Sequence, residues 1–340
     1  MVLQMKRLFL AVTLCFIPIV NSVAQQVNIY SFRQDFLVEP LLDEFENKTG
    51  ILVNIVSGNA DVIIKRLKAE GERSYTDLLL TVDAGRLERA KQLGLLQDVQ
   101  SAYIEDVLPA QFRDPKGAWF GLSARARPII YNKDTFDPSL MTSYADLADE
   151  KWRGRVCVRS SMNVYNQSMV AGYLAHHGEE KTRQWLVGLR KNLAQRPQGS
   201  DVDQIKYVAA GTCDISFVNM YYLARMLESR NSHDRSIAEQ VGIIWPDQKT
   251  MGTHINISGV AVTKYAPNKE SAVKFIEFLL SKKAQKIYAE QVLEYPVIDG
   301  VEVSPVIAGM GAFKRDELAL GLLGQLNEQA YELMKEAGWD

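Results

Sequence analysis

Three tyrosines in this 340-residue chain sit where their chemistry could be used. Tyr221 and Tyr222 are adjacent and close the short apolar segment Asp214-Ile215-Ser216-Phe217-Val218-Asn219-Met220. Tyr165 lies in a polar turn, Ser160-Ser161-Met162-Asn163-Val164-Tyr165-Asn166-Gln167. Phenolate oxygen is a hard anionic donor, and three phenolates would cancel the charge of a hard trivalent cation. Within a strand, adjacent side chains point to opposite faces, but a strand-to-helix turn breaks that alternation and lets two neighbours converge. A helix N-terminus behind them favours negative charge, which helps phenols ionise. Taken alone, the twin reads equally as one core and one surface tyrosine. Tyr165 alone reads as a ring packed against a Ser/Asn helix cap.

Around these phenols stand residues suited to anions. Ser161, Asn163 and the backbone N–H groups of their turn can cradle an anion beside a metal. Arg125 and Arg127, in Leu122-Ser123-Ala124-Arg125-Ala126-Arg127, share a face at period-two spacing. A guanidinium in a cleft clamps an oxyanion or compensates phenolate charge, and salt bridges between lobes account for such a pair equally well. No Gly-x-Ser-x-Gly elbow, His-Glu-x-x-His, phosphate-binding glycine loop or Cys-x-x-Cys occurs, so an enzyme is not indicated. His176 and His177 read as solvated helix-end residues, His233 as part of a polar turn, and His254 as a structural hydrogen-bonding residue.

The N-terminus places the chain outside the cytoplasm. Lys6-Arg7 precedes an apolar run over 8–20 and then Ser22-Val23-Ala24, the pattern of a signal peptide over residues 1–24 cleaved after Ala24. The run is too short to span a bilayer comfortably and nothing later resembles it, so no stable membrane insertion is expected. Cleavage leaves Cys157 and Cys213, for which an oxidising compartment favours a disulfide over two buried thiols. The 39 basic and 41 acidic residues give a formal charge of −2; losing two basic leader residues makes it −4. That balance, with no basic cluster, leaves no nucleic-acid footprint.

About 316 mature residues exceed what one core usually serves, so two lobes are expected to position the phenols. Strand-like runs at 27–31, 51–56 and 78–82 alternate with helical spacing at 36–47 and around 62–67, an order that argues for an open α/β sheet. Further strands are expected at 128–131, 155–158, 214–218, 241–245 and 257–262, with a helix over 270–280. The fold class is therefore α/β and two-lobed, each lobe an open sheet. The first lobe takes residues 25–124 with 258–298, and the second takes 125–257 with 299–340. Hinge crossings fall in 123–128 and 256–259, and the ligand lies in the cleft between the lobes, outside the carboxyl ends of strands.

In order along the chain, Ile29-Tyr30-Ser31-x-Arg33, Thr81-Val82-Asp83-Ala84-Gly85-Arg86-Leu87, Trp119-Phe120-Gly121-Leu122, Arg159-Ser160-Ser161 with Tyr165-Asn166-Gln167, Asn219-Met220-Tyr221-Tyr222, Gly252-Thr253-His254-Ile255-Asn256-Ile257-Ser258-Gly259 and Glu294-Tyr295-Pro296 resemble the periplasmic ferric-iron-binding proteins. These are the solute-binding components of iron(III) ABC importers. The resemblance implies a hinged periplasmic protein, monomeric, that takes Fe(III) in its cleft and hands it to an inner-membrane ABC permease. It implies Tyr165, Tyr221 and Tyr222 as ligands, with Arg125 on a carbonate or other synergistic anion. The family often carries histidine, sometimes followed by tyrosine, where this chain has Gln34 and Asp35. Gln34 can orient a water or anion, and a carboxylate such as Asp35 or Asp83 can fill a remaining position. An organic cation held by tyrosine faces, or a phosphonate-type small solute, remains as an alternative cargo on the same fold.

Overall fold

Apolar strands flanked by amphipathic helices build the first sheet. The computed structural model describes residues 25–33 and 37–340; the leader and the calls on Gln34 and Asp35 lie outside the described residues. The strands are β1 (Gln26–Ser31), β2 (Leu52–Ser57), β3 (Leu78–Thr81), β4 (Phe120–Ala126), β5 (Ile129–Asn132), β6 (Ile215–Phe217), β7 (Val241–Ile244) and β8 (Ile255–Val262). A five-stranded sheet runs β2-β1-β3-β8-β4. β1 pairs in parallel with β2 and β3, and β8 runs antiparallel between β3 and β4. β3, Leu78-Leu79-Leu80-Thr81, is buried throughout, as its continuous apolar run requires of a strand covered on both faces. The crossover helix Glu39–Thr49 buries Leu41, Leu42 and Phe45 and stops at Gly50, whose φ of 70° is the left-handed conformation glycine adopts without strain.

The second sheet, β6-β5-β7, is antiparallel throughout. Its apolar cluster takes Met169, Val170 and Ala171 from the helix Val164–His177, Trp185 from Glu179–Lys191, and Leu333 and Met334 from Asn327–Glu336. Cys157 and Cys213 are bonded beside β6, their Cα atoms 5.8 Å apart and both side chains buried. No helix among the described residues is long and apolar enough to cross a membrane.

One expected strand needs correcting, and the strand pairing locates the connections between the sheets. Residues 120–126 form a fully buried strand, paired with β8 through Arg125↔Asn256 and Ala126↔Ile255. Strand membership therefore places 125–126 and 255–257 in the five-stranded sheet, and the chain passes between the sheets at 127–128 and 245–254. The run 155–158 makes only isolated bridges, Val156 to Leu193 and to Ile215, because the chain turns away after Val158 into the loop before Tyr165.

Candidate metal centre

β6 ends at Phe217, and after Val218-Asn219 the helix Met220–Leu227 begins, so Tyr221 and Tyr222 occupy its first turn. Their rings lie 4.2 Å apart between centroids at 31°. Met220, Tyr221 and Ala224 join the apolar cluster of the five-stranded sheet, which anchors this helix start against the opposite lobe. Burial pushes the Tyr221 phenol well above its ordinary pKa; Tyr165 and Tyr222 raise it further while Arg125 pulls the other way. Tyr222 moves in the same direction, through burial first and then Tyr165 and Asp201. Both phenols are thus neutral at neutral pH without a cation, and a bound cation's charge is what would ionise them.

Tyr165 is the second residue of the helix Val164–His177, capped by Asn163, whose side chain accepts from the Asn166 N–H at 3.3 Å. Three guanidinium carbons surround its ring: Arg125 at 5.1 Å, Arg159 at 5.9 Å and Arg127 at 6.0 Å from the centroid. Arg127 is buried and donates to Asp201 at 2.9 Å, Asn219 at 3.1 Å and Asn166 at 2.6 Å. Asn166 belongs to the helix of Tyr165 and Asn219 caps the helix of the twin, so one guanidinium ties the two tyrosine-bearing segments together. Its ion pair lies within the second lobe rather than between lobes.

These phenols line a cleft of about 260 Å³ together with Arg33, Arg125, Arg159 and Glu294. Arg125 comes from β4; its Nη1 donates to Ser258 Oγ at 3.2 Å. Its Nε and Nη2 are buried and find no hydrogen-bond partner among the described residues. Buried donors left unpaired are costly, and two N–H groups on one guanidinium match a bidentate oxyanion. Arg33 pairs with Glu294 at 3.1 Å and donates to Ser258. Burial alone would raise the Glu294 carboxyl, but Arg33, Arg125 and the Ser123 hydroxyl outweigh it and hold it below the usual range. Among the described residues no group of three or more His, Cys, Asp or Glu side chains could hold a metal; the hard oxygens lining this cleft are the three phenols and the Glu294 carboxylate, which is paired with Arg33.

Other sequence candidates are placed differently. Asp83 caps the helix Ala84–Gln92 and is wholly buried, accepting from the Gly85 N–H, Ser168 Oγ and Asn256 Nδ2, each at 2.8 Å. Its carboxylate is committed to those partners instead of the cleft. Ser161 turns away from the phenols toward Asp340, with its N–H 2.9 Å from Oδ1. Asn163 lines the cleft, with its amide oxygen serving the helix cap. His254 is buried against Gly172 and is pushed down to about 3 by burial, then by Arg127 and Arg125. His176, expected to be solvated, places Nε2 3.0 Å from both Asp316 oxygens. Arg33, Arg159 and Glu294 were not singled out as site residues. Their signal lay in position: Arg33 follows the carboxyl end of β1 by two residues, where α/β sheets bind ligands.

The model of the bacterial extracellular solute-binding protein family matches residues 74–309. Iron uptake protein A1 of Synechocystis sp. is 46% identical over 315 residues, 93% of this chain and 88% of its own length. A Trichodesmium protein (IdiA, FutA) solved in complex with iron and citrate ligands has a TM-score of 0.89 and 45% identity, covering 93% of this chain and all of its own. The ferric binding protein from Campylobacter jejuni has a TM-score of 0.88 and 39% identity, covering 92% of this chain and 99% of its own.

Proposed function

The chain belongs to the bacterial extracellular solute-binding protein family, and on that premise we propose that it captures Fe(III) in the periplasm and delivers it to an inner-membrane ABC importer. It is a carrier, not a catalyst. The observation that carries this reading is the convergence of Tyr165, Tyr221 and Tyr222 on one cleft beside Arg125 N–H groups that have no partner among the described residues. Three phenolates balance Fe(III), and a carbonate-like anion on Arg125 supplies the further oxygens a hard ion demands. The lobes close on the metal about the connections at 127–128 and 245–254. The cage for an organic cation is disfavoured, because guanidiniums already stand against the Tyr165 ring whose face such a cation would need, whereas a metal needs the phenol oxygen.

Titrating the chelator-free protein with Fe(III) and bicarbonate tests this. A visible phenolate-to-iron charge-transfer band is expected to grow to saturation. Each of Tyr165→Phe, Tyr221→Phe and Tyr222→Phe is expected to weaken the band and to cost more affinity than the ~10–100-fold typical of residues that only support a ligand. Three variants that all keep the wild-type band and affinity would place the site elsewhere.

A further inference from the structure

We propose that Asp340 is a positioning residue for Tyr165, holding from outside the turn that carries this phenol into the cleft; the inference rests on Tyr165 being an iron ligand. The three phenols are supported unequally. Tyr221 is buried and its helix start is set in an apolar cluster. Tyr165 is only partly buried, and the turn before it has little apolar anchorage: Met162, three residues earlier, is 68% exposed.

Polar contacts hold that turn instead. The Asp340 carboxylate accepts from the Ser161 N–H at 2.9 Å, from Ser160 Oγ at 2.9 Å and from Ser161 Oγ. Charge-assisted bonds of this kind are about twice as strong as neutral ones, and three of them converge on two consecutive residues. Burial would raise the Asp340 carboxyl, but the Ser161 and Ser160 donors more than offset it and keep it ionised.

The neighbouring Trp339 extends the clamp. Its ring is buried, its indole N–H donates to the Arg159 carbonyl at 2.7 Å, and it meets Phe217 edge-on at 6.3 Å. Phe217 ends the strand that leads to the twin tyrosines, so Trp339 is wedged between the two segments that carry the phenols. From inside, Asn166 Nδ2 donates to the Arg159 carbonyl at 3.0 Å. Asp340 closes the outer side of the same turn. Metal ligands must be held within about 0.5 Å of their working geometry, which gives this outer carboxylate a functional consequence.

The test uses the full chain carrying Asp340→Ala, Asp340→Asn, Tyr165→Phe, or Asp340→Ala with Tyr165→Phe. Fe(III) affinity in bicarbonate is read by competition with a chelator, alongside the charge-transfer band and the thermal midpoint of the metal-free protein. Asp340→Ala is expected to weaken Fe(III) binding about 10–100-fold, with a smaller band. Asp340→Asn, which keeps one accepting oxygen, should fall between it and wild type. On the Tyr165→Phe background, Asp340→Ala should add nothing, because the residue acts through that phenol. Unchanged affinity and band in Asp340→Ala would overturn the proposal, as would a loss that adds in full to that of Tyr165→Phe. A wild-type protein without the band, or a Tyr165→Phe variant that keeps it whole, would instead overturn the ligand assignment beneath it.

Discussion

A phenol ionises near pH 10 in water, and burial makes Tyr221 and Tyr222 weaker acids still. On the proposed ligation, iron loading expels a proton from each. The metal-free site is protonated and the loaded site is not, so apparent affinity rises with pH and falls on acidification. Each displaced phenol proton contributes about tenfold per pH unit. Chelator competition between about pH 6 and 8 should accordingly give a slope of about two from the twin alone, and a pH-independent affinity would contradict phenolate ligation. Arg125 makes a separate expectation. Because its Nε and Nη2 find no acceptor among the described residues, Arg125→Gln should abolish the dependence of iron binding on bicarbonate, and full retention of that dependence would remove Arg125 from the anion site. At this scale the sequence was most legible where residue type and position coincided, as in a twin tyrosine at a strand-to-helix turn. Arg33 and Glu294 were not legible as a pair, since 261 positions separate them and only sheet closure brings them together.

The helices that carry these residues depend on close approaches that side-chain periodicity does not announce. Helix Ala84–Gln92 and helix Gly321–Gln325 meet through glycines: a methyl on Gly324 would lie 2.6 Å from Glu88 Cβ and 2.9 Å from the Gly85 carbonyl oxygen. Gly324→Ala should therefore destabilise the protein by about 1–3 kcal/mol, the usual cost of overpacking. Denaturant midpoints with an unchanged m-value check this, and an equal midpoint would show that the helices can part freely. β4 overlaps the crossing expected at 123–128 and starts three residues before it. Its Ser123 and Arg125 are polar, yet both are buried because Glu294 and Ser258 supply partners. The parallel β1-β2-β3 unit was readable because short β-rich strands alternate there with helical spacing, even though Asn28, Ser31 and Thr81 within the strands are buried.

Across the whole molecule, the proposed capture of iron closes one lobe on the other over the cleft. Arg33, Arg125 and Glu294 line that cleft together with the three phenols, Arg125 coming from the five-stranded sheet. The disulfide Cys157–Cys213 lies within the second lobe and closes a loop with a sequence separation of 56. By loop-closure entropy it stabilises that lobe by about 4 kcal/mol. Reduction, or Cys157→Ala with Cys213→Ala, should lower the unfolding midpoint accordingly, and an unaltered midpoint would contradict the estimate. Export made the pairing readable from sequence.

The central claim is most directly met by metal analysis and an absorbance spectrum of the full mature protein, purified without chelator and supplied with Fe(III) and bicarbonate. The expected result is about one iron per chain with a visible phenolate-to-iron band that disappears when all three tyrosines are replaced by phenylalanine. A protein that stays colourless and iron-free, or one whose band survives the triple replacement, would contradict it.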